Sequence, residues 1–93
     1  MVYLVTWELN REKPGYAQAR DAFLAEVGRF EHIKDSGLDS VAFVSTSSSA
    51  NDLSASLRAG LDDNDCLVVT RLASGTHQGW LSKATWDWIN SRL

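Results

Sequence analysis

The sequence predicts an α+β domain, an antiparallel sheet covered by helices. Three observations predict it. The chain opens on an apolar stretch, Val2 to Asn10, that reads as a strand. Two later runs, Val41–Thr46 and Cys66–Leu72, have the same apolar and β-branched character. Between and after them lie segments whose apolar residues recur every three or four positions, the period of a helix.

The first strand sets the problem the rest of the chain must solve. With a side-chain period of two, Tyr3, Val5, Trp7 and Leu9 share one face, and Val2, Leu4, Thr6 and Glu8 share the other. Neither set is wholly polar, so the strand reads as central and covered on both sides. A short chain covers one side well; a second subunit is the simplest cover for the other, and the third helix is the alternative. Asn10 to Gly15, with Pro14, is a turn. Tyr16, Ala19, Phe23, Val27 and Phe30 then form a helical stripe that Gly28 is placed to stop.

Phe30 to Asp35 reads as a short edge strand, and Ser36–Asp39 as the turn into Val41–Thr46. Ser47, Ser48 and Ser49 suit a helix N-terminus, because a serine hydroxyl accepts from an orphan backbone N–H. Leu53, Leu57 and Leu61 mark the buried edge of that helix. A polar loop, Asp62–Asp65, leads into the strand Cys66–Leu72, and a small-residue loop, Ala73–Gly79, leaves it. Leu81–Leu93 is the last helix, with Ala84, Trp88 and Ile89 expected to face inward. No repeat or linker divides residues 1–93, which form a single domain. The order strand, helix, strand, strand, helix, strand, helix is the split βαβ plan of the ferredoxin-like fold with an added C-terminal helix.

Composition narrows the function. The chain has 93 residues, 44% of them hydrophobic, and a net charge of -3. That content supports a packed core, and that charge disfavours a broad grip on nucleic acid. The basic residues are scattered, although Arg11, Lys13, Arg29 and Lys34 could converge at one end of the sheet. One cysteine excludes an internal disulfide and fits a reducing, cytoplasmic setting. Cys66 itself is expected to be a small buried apolar residue. No signal peptide and no apolar run of roughly 18 residues is present, so no membrane is expected.

Several of these residues resemble a known group. Tyr3–Asn10 and Leu61–Leu72 are similar to a family of small, mostly uncharacterised bacterial and phage proteins. In that family the first strand typically ends Tyr-Asp-Leu-Asn and a Leu-Asp-x-Asn-Asp turn precedes the last core strand. Asp87-Trp88-Ile89 fits its Trp-containing closing helix, and His32-Ile33-Lys34-Asp35-Ser36 fits its His-x-x-x-Ser stretch. The family is similar in fold to the small CRISPR-adaptation subunit and to virulence-associated protein D. The resemblance implies a homodimer formed by stacked sheet faces. It also implies a role for the acid that ends the first strand in metal-dependent nuclease activity. Here that acid is Glu8, a methylene longer than the family's Asp, and Trp7 precedes it where the family favours Tyr.

Glu8 is the catalytic and metal-ligating candidate, with Asn10 as a second oxygen donor for Mg or Mn; one Glu is too few, so each subunit would contribute its own. The competing reading of Glu8 is an exposed strand-end acid paired with Arg11 or Lys13. His32 is a weaker acid–base candidate, and both His32 and His77 also read as hydrogen-bonded surface residues. The Asp62–Asp65 cluster lacks the loop glycine and terminal Glu of a calcium loop and reads as a turn built on Asx hydrogen bonds. Trp7, Trp80, Trp86 and Trp88 are interface candidates, because tryptophan concentrates in interface cores. Trp86 and Trp88 lie about 200° apart around a helix and cannot share one face. No cofactor motif is present. The leading expectation is a non-catalytic homodimeric interaction or regulatory module with an unidentified protein partner, and the alternative is a metal-dependent endonuclease.

Overall fold

The computed structural model describes residues 1–93. Seven elements follow one another: β1 (Val2–Glu8), α1 (Tyr16–Val27), β2 (Glu31–Ile33), β3 (Val41–Ser45), α2 (Ala50–Arg58), β4 (Cys66–Leu72) and α3 (Lys83–Asn90). The sheet runs β2-β3-β1-β4, and every neighbouring pair is antiparallel. The chain is therefore α+β, with a four-stranded antiparallel sheet and three helices. Strand β1 is central, as its two-sided apolar pattern requires, and β4 and β2 are the edges.

Each face of β1 has its own cover. Tyr3, Val5, Trp7 and Leu9 are buried with Ala42 and Val44 of β3 beneath Phe23 and Val27 of α1 and Leu53 and Leu57 of α2. The Trp7 and Phe23 rings meet at 4.9 Å with a 52° tilt. On the opposite face Val2 and Phe43 are buried under Ile89 of α3, with Leu4, Leu72, Trp86 and Trp88 packed around them. Of the two covers the sequence allows, a second subunit or the third helix, the C-terminal helix supplies this one. It does so over half of that face only. An eight-residue helix is about 12 Å long, and it lies over the Val2 end of β1. Thr6, Glu8, Cys66, Val68 and Thr70 make up the other half, and Val68 is 56% exposed.

Local chemistry explains the element ends. Gly15 sits at the head of α1 with φ of 74°, a left-handed conformation in which a side chain would be strained. Gly28 ends the same helix at φ of -64°, so its stop is an ordinary right-handed turn with its N–H bonded to Leu24 O. Ser49 caps α2 by accepting from Asp52 N at 3.1 Å, and Ser82 caps α3 by accepting from Thr85 N.

Three expectations are corrected. Strand β2 shrinks to Glu31–Ile33, because Phe30 turns back to Val27 O and Asp35 leaves the ladder to bond the last helix. Ala84 is exposed, and Thr85 faces inward in its place because its hydroxyl donates to Asp35 at 2.7 Å. Cys66 is exposed, since it stands on the uncovered half of the α3 side.

Candidate functional site

Glu8 is exposed at the exit of β1, where α1's approach leaves a narrow depression of about 20 Å³ lined by Arg11, Tyr16, Arg20, Asp39 and Ser40. None of the protein's ion pairs includes it, so neither Arg11 nor Lys13 neutralises it. Asn10 does not turn toward Glu8 as a ligand. Its N–H donates to Asp65 Oδ1 at 2.9 Å, and its own side-chain carbonyl accepts from Glu12 N at 3.0 Å. No three His, Cys, Asp or Glu side chains of one chain are grouped to hold a metal ion. Glu8 and Asn10 therefore do not fit a metal as a pair, because a hard cation needs several convergent oxygens.

Lys13 belongs to a different structure. Its ammonium bonds Asp65 at 2.7 Å and Asp62 at 3.1 Å, and Asp62 N donates back to Asp65 at 3.1 Å. The Asp65 side chain is fully buried. Burial opposes its charge, yet the donors Lys13, Asn10 N and Asp62 N outweigh that cost and hold the carboxyl below the usual range. The bond to Asp65 is also the largest cause of Lys13's raised pKa. Asn64 N donates to Asp62 Oδ1 at 2.9 Å, the Asx bond that the sequence suggests. The acidic turn is thus a knot that sews the exit of β1 to the entrance of β4.

The basic residues do not merge into one surface. Lys13 is consumed in the knot and Arg29 pairs with Glu26. Lys34 donates to the carbonyls of Leu38, Asp39 and Val41 and lies 4.9 Å from the Trp7 ring. Burial, and then the charge of Arg20, lower its pKa. His32 Nδ1 meets Phe30 O at 2.9 Å on an exposed edge, with no acid beside it among its hydrogen bonds. His77 Nδ1 meets Ala73 O at 3.1 Å, and its ring stacks on Trp86 at 5.7 Å.

The four tryptophans divide by exposure. Trp7 is 5% exposed, and the chain's own helices already cover it. Trp86 and Trp88 are half-buried on either side of Ile89, with the Arg92 guanidinium 4.3 Å over the Trp88 ring. Trp80 is 98% exposed. It rims a groove of about 190 Å³ whose apolar lining includes Leu4, Leu38, Phe43, Leu72, Leu81 and Trp86. This groove lies on the α3 side, among the residues packed around that helix.

One structural residue escapes sequence reasoning. Asp35 is buried and accepts from Gly37 N at 2.9 Å, Ser82 N at 3.0 Å and Thr85 Oγ1 at 2.7 Å. It clamps the start of α3 to the β2–β3 turn. The sequence shows an Asp before Ser-Gly, which reads as a turn residue; nothing local announces a partner fifty positions away. No family model, curated protein or solved structure matches this chain.

Proposed function

We propose that this chain is a non-catalytic, homodimeric protein-interaction or regulatory module, built on the ferredoxin-like plan and working in the cytoplasm. The observation that carries the reading is Trp80, 98% exposed at the rim of an apolar groove. An indole left wholly in water beside Leu4, Leu72 and Trp86 is an anchor of the kind that concentrates binding energy. The antiparallel order β2-β3-β1-β4 supports the ferredoxin-like assignment and, with it, the proposed kinship with the small CRISPR-adaptation subunit and virulence-associated protein D. The exposed free thiol of Cys66 suits a reducing compartment. No helix is long and apolar enough to cross a membrane.

Sedimentation velocity across a wide dilution series tests the reading. The wild type is expected to populate a dimer, and Trp80→Ala to raise the dissociation constant about tenfold or more. At concentrations low enough for both to be monomeric its melting temperature should match the wild type's, since the indole packs on little of its own chain. A wild type that stays monomeric throughout, with its indole freely quenched by iodide, would remove the homodimer.

The alternative is a Mg- or Mn-dependent nuclease using Glu8 from each subunit. Incubation of single-stranded RNA and duplex DNA with either metal is expected to give no cleavage by wild type or by Glu8→Ala. Metal-dependent cleavage that Glu8→Ala abolishes would replace the interaction module with an enzyme.

A further inference from the structure

The two edges of the sheet are built differently. The β2 edge is three residues long, with Glu31 ion-paired to Arg92 at one end and Lys34 just past the other. The β4 edge runs for seven residues, Cys66 to Leu72, with no proline, no lysine and one charge, Arg71. Natural sheets blunt long edges with charges, prolines or bulges, and this one has little of that protection.

The pairing register identifies the groups that face outward. Trp7 N donates to Ser40 O and Thr46 N to Met1 O, so odd residues of β1 bond toward β3 and even ones toward β4. Opposite them, Cys66, Val68, Thr70 and Leu72 bond β1. The N–H and C=O of Leu67, Val69 and Arg71 therefore point away from the sheet. These six groups have no partner among the turn, loop and side-chain bonds of the protein. The row is bracketed by residues that are satisfied. Asp65 N bonds Asp62 O, Ala73 N bonds Thr76 Oγ1, and Ala73 O accepts from Thr76 N.

We propose that the β4 edge, and not the stacked sheet face that the resemblance implies, pairs antiparallel with β4 of a second copy about a two-fold axis through Val69, forming one continuous eight-stranded sheet. The inference rests on the homodimer reading above and names its interface. Only this register uses all six free groups. Val69 exchanges two bonds with the partner's Val69, and Leu67 and Arg71 each exchange two with the partner's Arg71 and Leu67. Shifting the axis by one residue loses a bonded pair. The register also sets the partner's Arg71 beside the acidic turn, where Asp62, Asp63 and Asp65 meet a single lysine, Lys13.

On the α3 side, Leu72 falls opposite the partner's Cys66. Trp80 shares its groove with Leu72. It therefore stands next to the uncovered half of the partner's sheet, where Val68 is 56% exposed. Each copy's indole covers what the other copy's short α3 leaves open. The same geometry holds the two Glu8 residues about 25 Å apart, from strand spacing and rise, too far to share a metal ion.

Three variants test the interface. Val69→Cys in a Cys66→Ser background puts two thiols on the axis, with Cα atoms about 5.5 Å apart, and mild oxidation is expected to yield a cross-linked dimer. Val68→Cys in the same background has its copies about 8 Å apart and stays uncrosslinked. Val69→Pro removes an N–H that β1 does not use, and is expected to weaken association about tenfold or more. Dimers in sedimentation that do not cross-link through Val69→Cys overturn the edge pairing and leave the homodimer standing. A wild type that is monomeric at every concentration overturns both.

Discussion

Replacing Asp35 by alanine is expected to release the C-terminal helix and to lower the melting temperature by about 10 °C. The carboxylate accepts three bonds, from Thr85 Oγ1, Gly37 N and Ser82 N, at 2.7 to 3.0 Å. Bonds to a charged acceptor are stronger than neutral ones, and removing it strands all three donors near the sheet. Ser82 loses a partner at the helix N-cap, and Thr85 loses the bond that sets the helix's rotation. The Thr85 hydroxyl, followed by the Gly37 and Ser82 N–H groups, holds the Asp35 carboxyl far below the usual range. The folded chain binds this proton less tightly than the unfolded chain. The stabilisation is therefore complete above the unfolded value of about 3.9 and is lost as pH falls toward the folded one. Thermal melts of wild type and Asp35→Ala should differ most near neutral pH and converge in strong acid. Identical melts at pH 7 would show that the clamp contributes nothing.

Truncating Phe23 to alanine is expected to cost about 4 kcal/mol. That is a large share of the roughly 5–15 kcal/mol by which such domains are stable. Phe23 is 1% exposed and lies against Trp7, with Val27, Leu53 and Leu57 in the same cluster. Helices α1 and α2 close over this cavity from different parts of the chain, so neither collapses freely into the space left behind. The loss should appear as a lower urea midpoint with an unchanged slope, and as a red shift of the Trp7 emission if water enters. A midpoint matching the wild type would mean the site repacks. The two substitutions differ in reach: Asp35→Ala loosens one helix, whereas Phe23→Ala weakens the cooperative unit as a whole.

Much of this architecture was legible in the sequence because it is local. The alternation of Val2–Glu8, the stripe of Tyr16, Phe23 and Val27, and the serine before α2 each report on their own backbone. Strand β4 was equally plain, and its exposed and half-buried residues alternate from Cys66 to Val69 as a sheet edge should. What the sequence hid is long-range. The Asp35–Thr85 bond, the Lys13–Asp65 pair and the half-cover by α3 each join residues some fifty or more positions apart, or depend on a helix's rotation. Trp7 shows the same limit. Its residue type suits an interface or a core equally, and the contact with Phe23 assigns it to the core. At the candidate site, Glu8 was legible as a strand-end acid. Its lack of an ion pair, and Asn10's commitment to the neighbouring loop, emerge only once the turns are placed.

The division of the sheet between two covers has a consequence for the protein's lifetime in a cell. The α1–α2 layer and the sheet share ten buried residues, whereas α3 rests on a cluster of three and one carboxylate clamp. Opening of α3 alone therefore needs less free energy than global unfolding. The opened form keeps its sheet but displays Val2, Leu4 and Phe43, an apolar stripe that chaperones and proteases recognise in damaged chains. Turnover then follows the population of this opened form and not of the unfolded chain. Variants at Ser82, Thr85 or Ile89, like Asp35→Ala, would raise that population and shorten the protein's half-life by more than their loss of global stability accounts for.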